Sequence, residues 1–219
     1  MPAWLGFGKR ARSAGPAFAT DTPLTELRYA IIDTELTSLD TRKNRLLSIG
    51  AIAMDGTKIR VGDPFYRVVN PGVEVPVEGI KVHKLRPDDV EQGVAPAIAM
   101  SELREFITAR VLVGHFFHID LNALRKELGD RHELLNPAIC TARVHSWIMK
   151  NGPVRDDFVQ EQERVDLEAL AKAYDIDFHE AHHALEDAFV TARLWQKQMA
   201  KLQVMGAKTL NDLLKIARA

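Results

Sequence analysis

The sequence predicts an α/β fold in which helices cover a mixed β-sheet. The first third of the chain contains apolar runs without helical periodicity, which indicate buried strands. The remainder contains apolar residues at helical spacing, interrupted by one further short apolar run. Strands that come first and then alternate with helices are typical of an α/β sandwich.

The predicted strands comprise residues 28–34, 45–54, 57–70 and 111–113. Asp55-Gly56 after the second strand is a strong hairpin-turn signal, and Pro71-Gly72 closes the third. The first three strands are therefore expected to form an antiparallel meander. The fourth is a short apolar run that Gly114 ends.

The predicted helices comprise residues 100–109, 119–128, 141–150, 166–174 and 184–201. In each of them, apolar residues recur three or four positions apart. We interpret the apolar stripe of the last helix as a face that packs against the core. Residues 73–97 are rich in Pro and Gly and are predicted to be irregular.

A length of 219 residues argues for one domain with extensions rather than for two full domains. We assign residues 28–203 to this domain. Residues 1–27 are rich in Gly, Ala and Pro and are predicted to form a flexible arm. Residues 204–219 are predicted to form a separate, short amphipathic helix.

Composition and charge exclude several classes of protein. Hydrophobic residues make up 46% and charged residues 27%, which excludes disordered, collagen-like and coiled-coil chains. The 29 basic and 30 acidic residues give a formal net charge of −1. A nucleic-acid partner would therefore have to be held by a local basic patch.

The single cysteine, Cys140, excludes an intrachain disulfide and a Cys-rich zinc site. It predicts a reducing compartment, and hence a cytoplasmic location. No stretch reaches the roughly 18 apolar residues of a membrane span. The first 23 residues lack the apolar segment of a signal peptide. We therefore expect no membrane partner.

Asp33 and Glu35 are the first candidate site residues. Residues i and i+2 of a strand point to the same face, so both carboxylates project together at the end of a buried strand. A divalent cation would relieve their mutual repulsion. A solvated strand end is the alternative, since the sequence has five acid-x-acid pairs, of which this pair alone ends an apolar strand.

Asp120 and Asp187 are the second pair of candidates, and both lie near the start of a predicted helix. For Asp120, the alternative is an acid in a first helical turn, favoured by the helix dipole. Asp187 lies beside an apolar helix face, where a carboxylate requires a partner. Four carboxylates at strand and helix ends are what a two-metal phosphoryl-transfer site requires.

Four motifs carry a resemblance to a known family. D-x-E-T-T-G-L is matched by residues 33–39 (DTELTSL), and V/I-H-G-I by 82–85 (VHKL). G-H-N-x-x-F-D is matched by 114–120 (GHFFHID), and H-x-A-L-x-D-A by 182–188 (HHALEDA). With these motifs in order, the sequence resembles the DEDDh 3′–5′ exonucleases. This DnaQ-like family includes the proofreading epsilon subunit of bacterial DNA polymerase III.

The resemblance implies an RNase H-like fold, with a five-stranded mixed sheet flanked by helices. It implies hydrolysis of phosphodiester bonds from the 3′ end of a single-stranded nucleic acid, with release of nucleoside monophosphates. We expect DNA ahead of RNA as the substrate. The implied cofactors are two divalent cations, Mg²⁺ or Mn²⁺, and a DNA polymerase subunit is a candidate partner.

The resemblance also implies a role for each acidic residue. Asp33 would bridge both cations, Glu35 and Asp187 would complete the first site, and Asp120 would hold the second. His182 would be the general base that accepts a proton from the attacking water, a task that suits the near-neutral pKa of histidine.

The two adjacent histidines leave one question open. Helical geometry favours His183 as the neighbour of Asp187, because residues i and i+4 share a helix face. The resemblance favours His182, which the family places in the loop before the helix. We choose His182 and expect His183 to be an exposed residue at the helix start.

The resemblance implies five substrate-binding residues. Leu39 would wedge against the terminal base, and backbone amides around residues 35–37 would hold the 3′ hydroxyl group. The five residues are Leu36, Thr37, Leu39, His83 and Phe116. Leu36, Ser38 and Phe116 replace Thr, Gly and Asn of the family pattern, so the choice of substrate is open.

Two alternatives remain. Residues 179–183 (HEAHH) match the zinc-protease pattern H-E-x-x-H, in which His179 and His183 would bind zinc and Glu180 would be the base. That reading leaves Asp33, Glu35 and Asp120 unexplained. The second alternative is a polymerase-associated docking or proofreading module with weak activity of its own, in which the arm and the C-terminal helix are docking elements.

Overall fold

The structure, a computed structural model, describes residues 18–38, 40–73, 84–129, 134–152, 165–178 and 182–219. Its centre is a five-stranded sheet with the order β3-β2-β1-β4-β5. The strands are β1 (Arg28–Leu36), β2 (Leu46–Asp55), β3 (Lys58–Val68), β4 (Val111–Gly114) and β5 (Ala138–Cys140).

The sheet is mixed, as the sequence predicts. The pairs β1–β2 and β2–β3 are antiparallel, whereas β1–β4 and β4–β5 are parallel. Gly56 turns between β2 and β3 with φ of 55°, a conformation that suits glycine. Sequence patterns missed β5, because a run of three residues is too short to show a period.

The helices are α1 (Pro87–Glu91), α2 (Pro96–Phe106), α3 (His118–Leu128), α4 (Thr141–Asn151), α5 (Leu167–Ala173), α6 (Ala184–Val204) and α7 (Leu210–Ala217). The five helices predicted upstream of residue 204 are present, with bounds that differ by a few residues. α1 falls in the segment predicted to be irregular. Pro87 and Pro96 begin helices, because a first-turn proline lacks an N–H that would be unpaired there anyway.

Alternation along β1 sends successive side chains to opposite layers. Tyr29 and Ile31 join a core with α4, α6 and α7, whereas Ala30 and Ile32 join a core with α2 and α3. The odd-numbered residues of β1 therefore face α6. Continuing this alternation places the side chains of Asp33 and Glu35 on the α6 side, where the strand leaves the core.

Both ends of the predicted domain extend further than expected. Leu24 and Leu27 are buried, and the N–H of Leu24 donates to the carbonyl of Lys208. The apolar side of α7 is also buried, so α7 is a part of the core rather than a separate helix. Described residues on both sides of the predicted domain therefore pack against its core, and the boundaries at residues 28 and 203 stay a prediction. The predicted flexibility of the arm concerns mainly residues 1–17, outside the described part.

Within the described ranges, no helix is both long enough and apolar enough to cross a membrane.

Candidate active site

Three of the four predicted carboxylates meet at the end of β1. One side-chain oxygen each of Asp33, Glu35 and Asp187 lies within 4.8 Å of the others. The strand supplies the first two from the same face, and the first turn of α6 supplies the third. Residues separated by about 150 positions in the chain are thus brought together by the packing of α6 on the sheet.

Asp187 is linked to the residue predicted to be the general base. Its Oδ2 accepts a hydrogen bond of 3.0 Å from the backbone N–H of His182. His182 has φ of 70°, a left-handed conformation that is unusual for a residue other than glycine. The side chain of His182 is exposed at the edge of the carboxylate cluster.

Asp120 reaches the same strand end from the opposite layer. It lies in the first turn of α3, and its side chain is buried. Its Oδ1 accepts hydrogen bonds from the backbone N–H of Thr34 at 2.9 Å and from the Thr34 hydroxyl at 2.6 Å. Thr34 therefore fixes the orientation of the Asp120 carboxylate between the two layers.

All four carboxylates have a raised pKa, and burial is the first cause in each. Burial, followed by the charges of the other three carboxylates, raises the pKa of Asp33 well above its ordinary value. Burial and the charges of Asp187 and Asp120 raise the pKa of Glu35 to about 8. Burial raises the pKa of Asp120 to about 7, and it also raises that of Asp187.

This cluster fits a hard divalent cation. Among the residues that the structure describes, the buried Oδ1 of Asp187 has no hydrogen-bond partner. Four carboxylates with few compensating donors are costly in a protein interior unless positive charge is supplied. Oxygen ligands of this kind are those that Mg²⁺ and Mn²⁺ prefer.

His183 does not have the exposed position expected of it. It is half-buried, and its ring stacks on the ring of Tyr66, with centroids 4.9 Å apart and an angle of 24° between planes. Tyr66 is a neighbour on the sheet surface that sequence spacing could not indicate.

The sequence of this chain matches a known family over most of its length. A family model described as Exonuclease matches residues 30–195, which include the carboxylates and His182. The chain belongs to this exonuclease family. The predicted family resemblance is therefore confirmed.

Several curated proteins similar to this chain are named as DNA polymerase III or as its epsilon subunit. DNA polymerase III subunit epsilon of Rickettsia conorii is 27% identical over 82% of this chain and 77% of its own length. An epsilon-like protein of Rhodobacter capsulatus is 29% identical over 91% of this chain, but over only 28% of its own length. A PolC-type DNA polymerase III of Caldanaerobacter subterraneus is 25% identical over 86% of this chain, which spans 13% of that protein.

Two solved exonuclease structures have the same fold as this chain. E. coli Exonuclease I in complex with a dT13 oligonucleotide superposes with a TM-score of 0.69 and 15% identity, covering 82% of this chain and 42% of that one. Exonuclease X in complex with 5′ overhanging duplex DNA gives 0.64 and 18%, covering 86% and 98%. These similarities confirm the predicted RNase H-like fold.

Three of the predicted substrate-binding residues, Leu36, Thr37 and Phe116, lie close in the chain to residues of the carboxylate cluster. Leu36 ends β1, and the N–H of Thr37 donates to the carbonyl of Arg45 at 3.0 Å. Phe116 has φ of 46° and packs edge-on against the ring of His115. Leu39 and His83 lie outside the described residues.

The zinc-protease alternative is not supported. His179 and Glu180 lie outside the described residues, but α6 begins only at Ala184. His183 has extended backbone angles, with φ of −126° and ψ of 112°. The H-E-x-x-H site requires two histidines on one face of a helix, and His183 precedes the helix instead.

Two functional neighbours escaped the sequence analysis. Thr34 occupies the variable position of the first motif. Because side chains alternate along a strand, Thr34 points to the face opposite Asp33, and this alternation could have indicated its contact with Asp120. His115 bonds Thr141 through Nδ1 at 2.9 Å and the Val165 carbonyl through Nε2 at 2.7 Å. Burial lowers its pKa to about 4, so the neutral ring of His115 links the end of β4 to the start of α4 and to the segment that precedes α5.

A cavity of about 820 Å³ lies near the other end of β1, around Arg28, Phe65 and Arg110. Its described lining residues include none of the four carboxylates of the candidate site. The candidate site is therefore the carboxylate cluster at the end of β1, away from this cavity.

Proposed function

We propose that this chain is a metal-dependent exonuclease that removes nucleotides from the 3′ end of single-stranded nucleic acid, DNA in preference to RNA. The observation that carries the proposal is the meeting of Asp33, Glu35 and Asp187 beside His182. The products would be nucleoside monophosphates.

The carboxylates would hold two cations, Mg²⁺ or Mn²⁺. Asp33, Glu35 and Asp187 would hold the first, and Asp33 and Asp120 the second. The bound cations would supply positive charge for activating water and for stabilising the phosphate as negative charge develops on it. Thr34 occupies Oδ1 of Asp120 with two hydrogen bonds and thereby orients this carboxylate.

His182 would accept the proton of the attacking water. Its backbone N–H donates a hydrogen bond to Oδ2 of Asp187, which would keep the base at a fixed distance from this cation ligand. Its imidazole is exposed to solvent, from which it can exchange its proton between turnovers.

The substrate end would lie along the chain segment that follows Glu35. Leu36 and Thr37, together with Leu39, would contact the terminal nucleotide, and backbone amides of this segment would hold its 3′ hydroxyl group. Thr37 is held by two hydrogen bonds with Arg45, which fix the start of the loop. His83 and Phe116 would complete the contact.

The test is cleavage of 5′-labelled single-stranded DNA and RNA with Mg²⁺ or Mn²⁺. We expect a ladder that shortens from the 3′ end and is abolished by chelator and by Asp33→Asn. Asp63→Asn is the matched control, since Asp63 is an exposed acid on the edge strand β3. Absence of cleavage by folded wild-type protein with either cation would contradict the proposal.

A polymerase-associated role is the second candidate, because several relatives are named as polymerase III subunits. Co-elution of the purified chain with a bacterial polymerase III catalytic subunit in size-exclusion chromatography would support it, and separate elution would contradict it. The apolar face of α7 is buried in the domain and is not free for such docking. The cytoplasmic location stays a prediction that follows from the single cysteine.

A further inference from the structure

We propose that Gly50, Tyr66 and His183 form a seat for the start of α6, and that this seat positions His182 and Asp187 for the reaction. The inference rests on the proposed function, since it concerns the geometry of the same site. These three residues are positioning residues and have no contact with the reacting atoms in the proposal.

The seat begins with a row of residues across the sheet. Gly50 pairs with Asp33 on one side and with Tyr66 on the other. Residues that pair directly in antiparallel strands have side chains on the same face. Asp33, Gly50 and Tyr66 therefore form one row facing α6, with a gap in the middle where glycine has no side chain.

The start of α6 fills this gap. A Cβ atom added to Gly50 would overlap the backbone of Ala184 and Leu185, the first two residues of the helix. Because these are backbone atoms, no side-chain rotation could relieve the overlap, and the helix start would have to move. The approach of α6 to the sheet thus depends on glycine at this position.

Tyr66 holds the residue that precedes the helix. Its ring stacks on that of His183, at 4.9 Å between centroids. The preceding residue, His182, has φ of 70°, so the chain makes a strained turn immediately before the helix. Such a turn persists only where the surrounding structure stabilises it. The stacking of His183 on Tyr66 supplies a stabilising contact at the residue between this turn and α6.

A movement of His183 would displace both His182 and Asp187. The carbonyl of His183 accepts the N–H of Asp187 at 2.9 Å, and the Asp187 carboxylate accepts the N–H of His182 at 3.0 Å. His182, His183 and Asp187 are therefore one hydrogen-bonded unit. The stack and the glycine gap fix the place of this unit relative to Asp33 and Glu35.

His183 contributes to the seat through the stacking of its ring on Tyr66. Its Nδ1 is buried and has no hydrogen-bond partner among the described residues. Phenylalanine should therefore replace His183 in the stack, whereas alanine should not.

The first experiment compares Gly50→Ala with Gly62→Ala. A Cβ atom on Gly62 would meet no atom within 4 Å, so this variant is a control for adding a methyl group to the same sheet. We expect Gly50→Ala to weaken Mn²⁺ binding in calorimetry by at least about tenfold. We expect its kcat to fall by about 100-fold, the effect of misplacing reacting groups by about 1 Å.

The second experiment tests the stack and stays informative if Gly50→Ala fails to fold. We expect Tyr66→Leu and His183→Ala to lower kcat and Mn²⁺ affinity, with KM for the oligonucleotide unchanged. Tyr66→Phe and His183→Phe keep a stacked ring and are expected to retain most of both. Loss of folded protein alone would not change the apparent dissociation constant of Mn²⁺.

Unchanged Mn²⁺ affinity and kcat in Gly50→Ala, Tyr66→Leu and His183→Ala would overturn the inference. Equal losses in His183→Phe and His183→Ala would also overturn it, since they would assign a chemical role to the imidazole. A wild-type protein that binds Mn²⁺ but has no activity would contradict the proposed function instead. In that case, the Mn²⁺ affinities of the variants, measured by calorimetry, would still test the seat.

Discussion

At the scale of single residues, the site depends on a few polar contacts around four carboxylates that repel one another. Thr34 and Asp33 are neighbours in the chain, yet their side chains point to opposite faces of the sheet. Asp33 meets Asp187 on the α6 side, and Thr34 holds Asp120 on the α3 side. The end of β1 is therefore the point where both layers contribute to one site.

We expect Thr34→Val to weaken the second cation site selectively. Valine has nearly the same shape but cannot donate the 2.6 Å hydrogen bond to Asp120, whose backbone partner remains. Mn²⁺ titration by calorimetry should show two sites in the wild type, with one of them several-fold weaker in the variant. An unchanged titration would contradict the role given to Thr34.

We expect the metal-free protein to lose stability as pH rises. The pKa of Glu35 in the folded protein is about 8, and that of Asp120 is about 7, whereas both are near 4 in an unfolded chain. Between about pH 4 and about pH 8, the folded state therefore binds more protons than the unfolded state, and the free energy of unfolding falls as pH rises.

Urea unfolding in the presence of chelator, at a series of pH values, measures this slope. Glu35→Gln should reduce it, because the amide does not titrate, and saturating Mg²⁺ should offset the loss at high pH. Stability that rises with pH in the metal-free wild type would show that the carboxylates are not held as described.

At the scale of elements, α6 and α7 decide how the site is supported. α6 supplies Asp187 at its start, and its buried face packs against β1 and β2. α7 covers the same core from the C-terminal end, where Leu210, Leu213 and Ala217 are buried. The C-terminal helix therefore contributes to the stability of the fold that holds the site.

We expect Leu213→Ala to lower the free energy of unfolding by about 2–5 kcal/mol, the usual cost of removing a fully buried leucine side chain. Lys215→Ala on the exposed side of the same helix is the control and should change it by less than about 0.5 kcal/mol. Equal, small effects in urea unfolding would mean that α7 is a separate appendage after all.

At the scale of the whole molecule, the spacing of apolar residues along the chain predicted the mixed sheet and its main helices. This spacing is informative because it follows the buried face of each helix or strand. The carboxylates were identifiable because each lies at the end of a strand or in the first turn of a helix. The match of residues 182–188 to a family motif was needed to choose His182 over His183.

Other features were beyond such patterns because they depend on packing between distant segments. The row Asp33, Gly50 and Tyr66 exists only through the register of three strands. The stacking of His183 on Tyr66, and the burial of α7, likewise follow from how the layers meet. Sequence spacing within one element carries no information on these contacts.

The central claim, that the carboxylates at the end of β1 support removal of nucleotides from a 3′ end, has one most direct measurement. It is chromatographic analysis of the products released from single-stranded DNA with Mg²⁺, by the wild type and by His182→Ala. We expect nucleoside monophosphates from the wild type, and a rate lower by about 10²–10⁴-fold in the variant, the usual contribution of a general base. Release of internal oligonucleotide fragments, or equal rates for the two proteins, would contradict it.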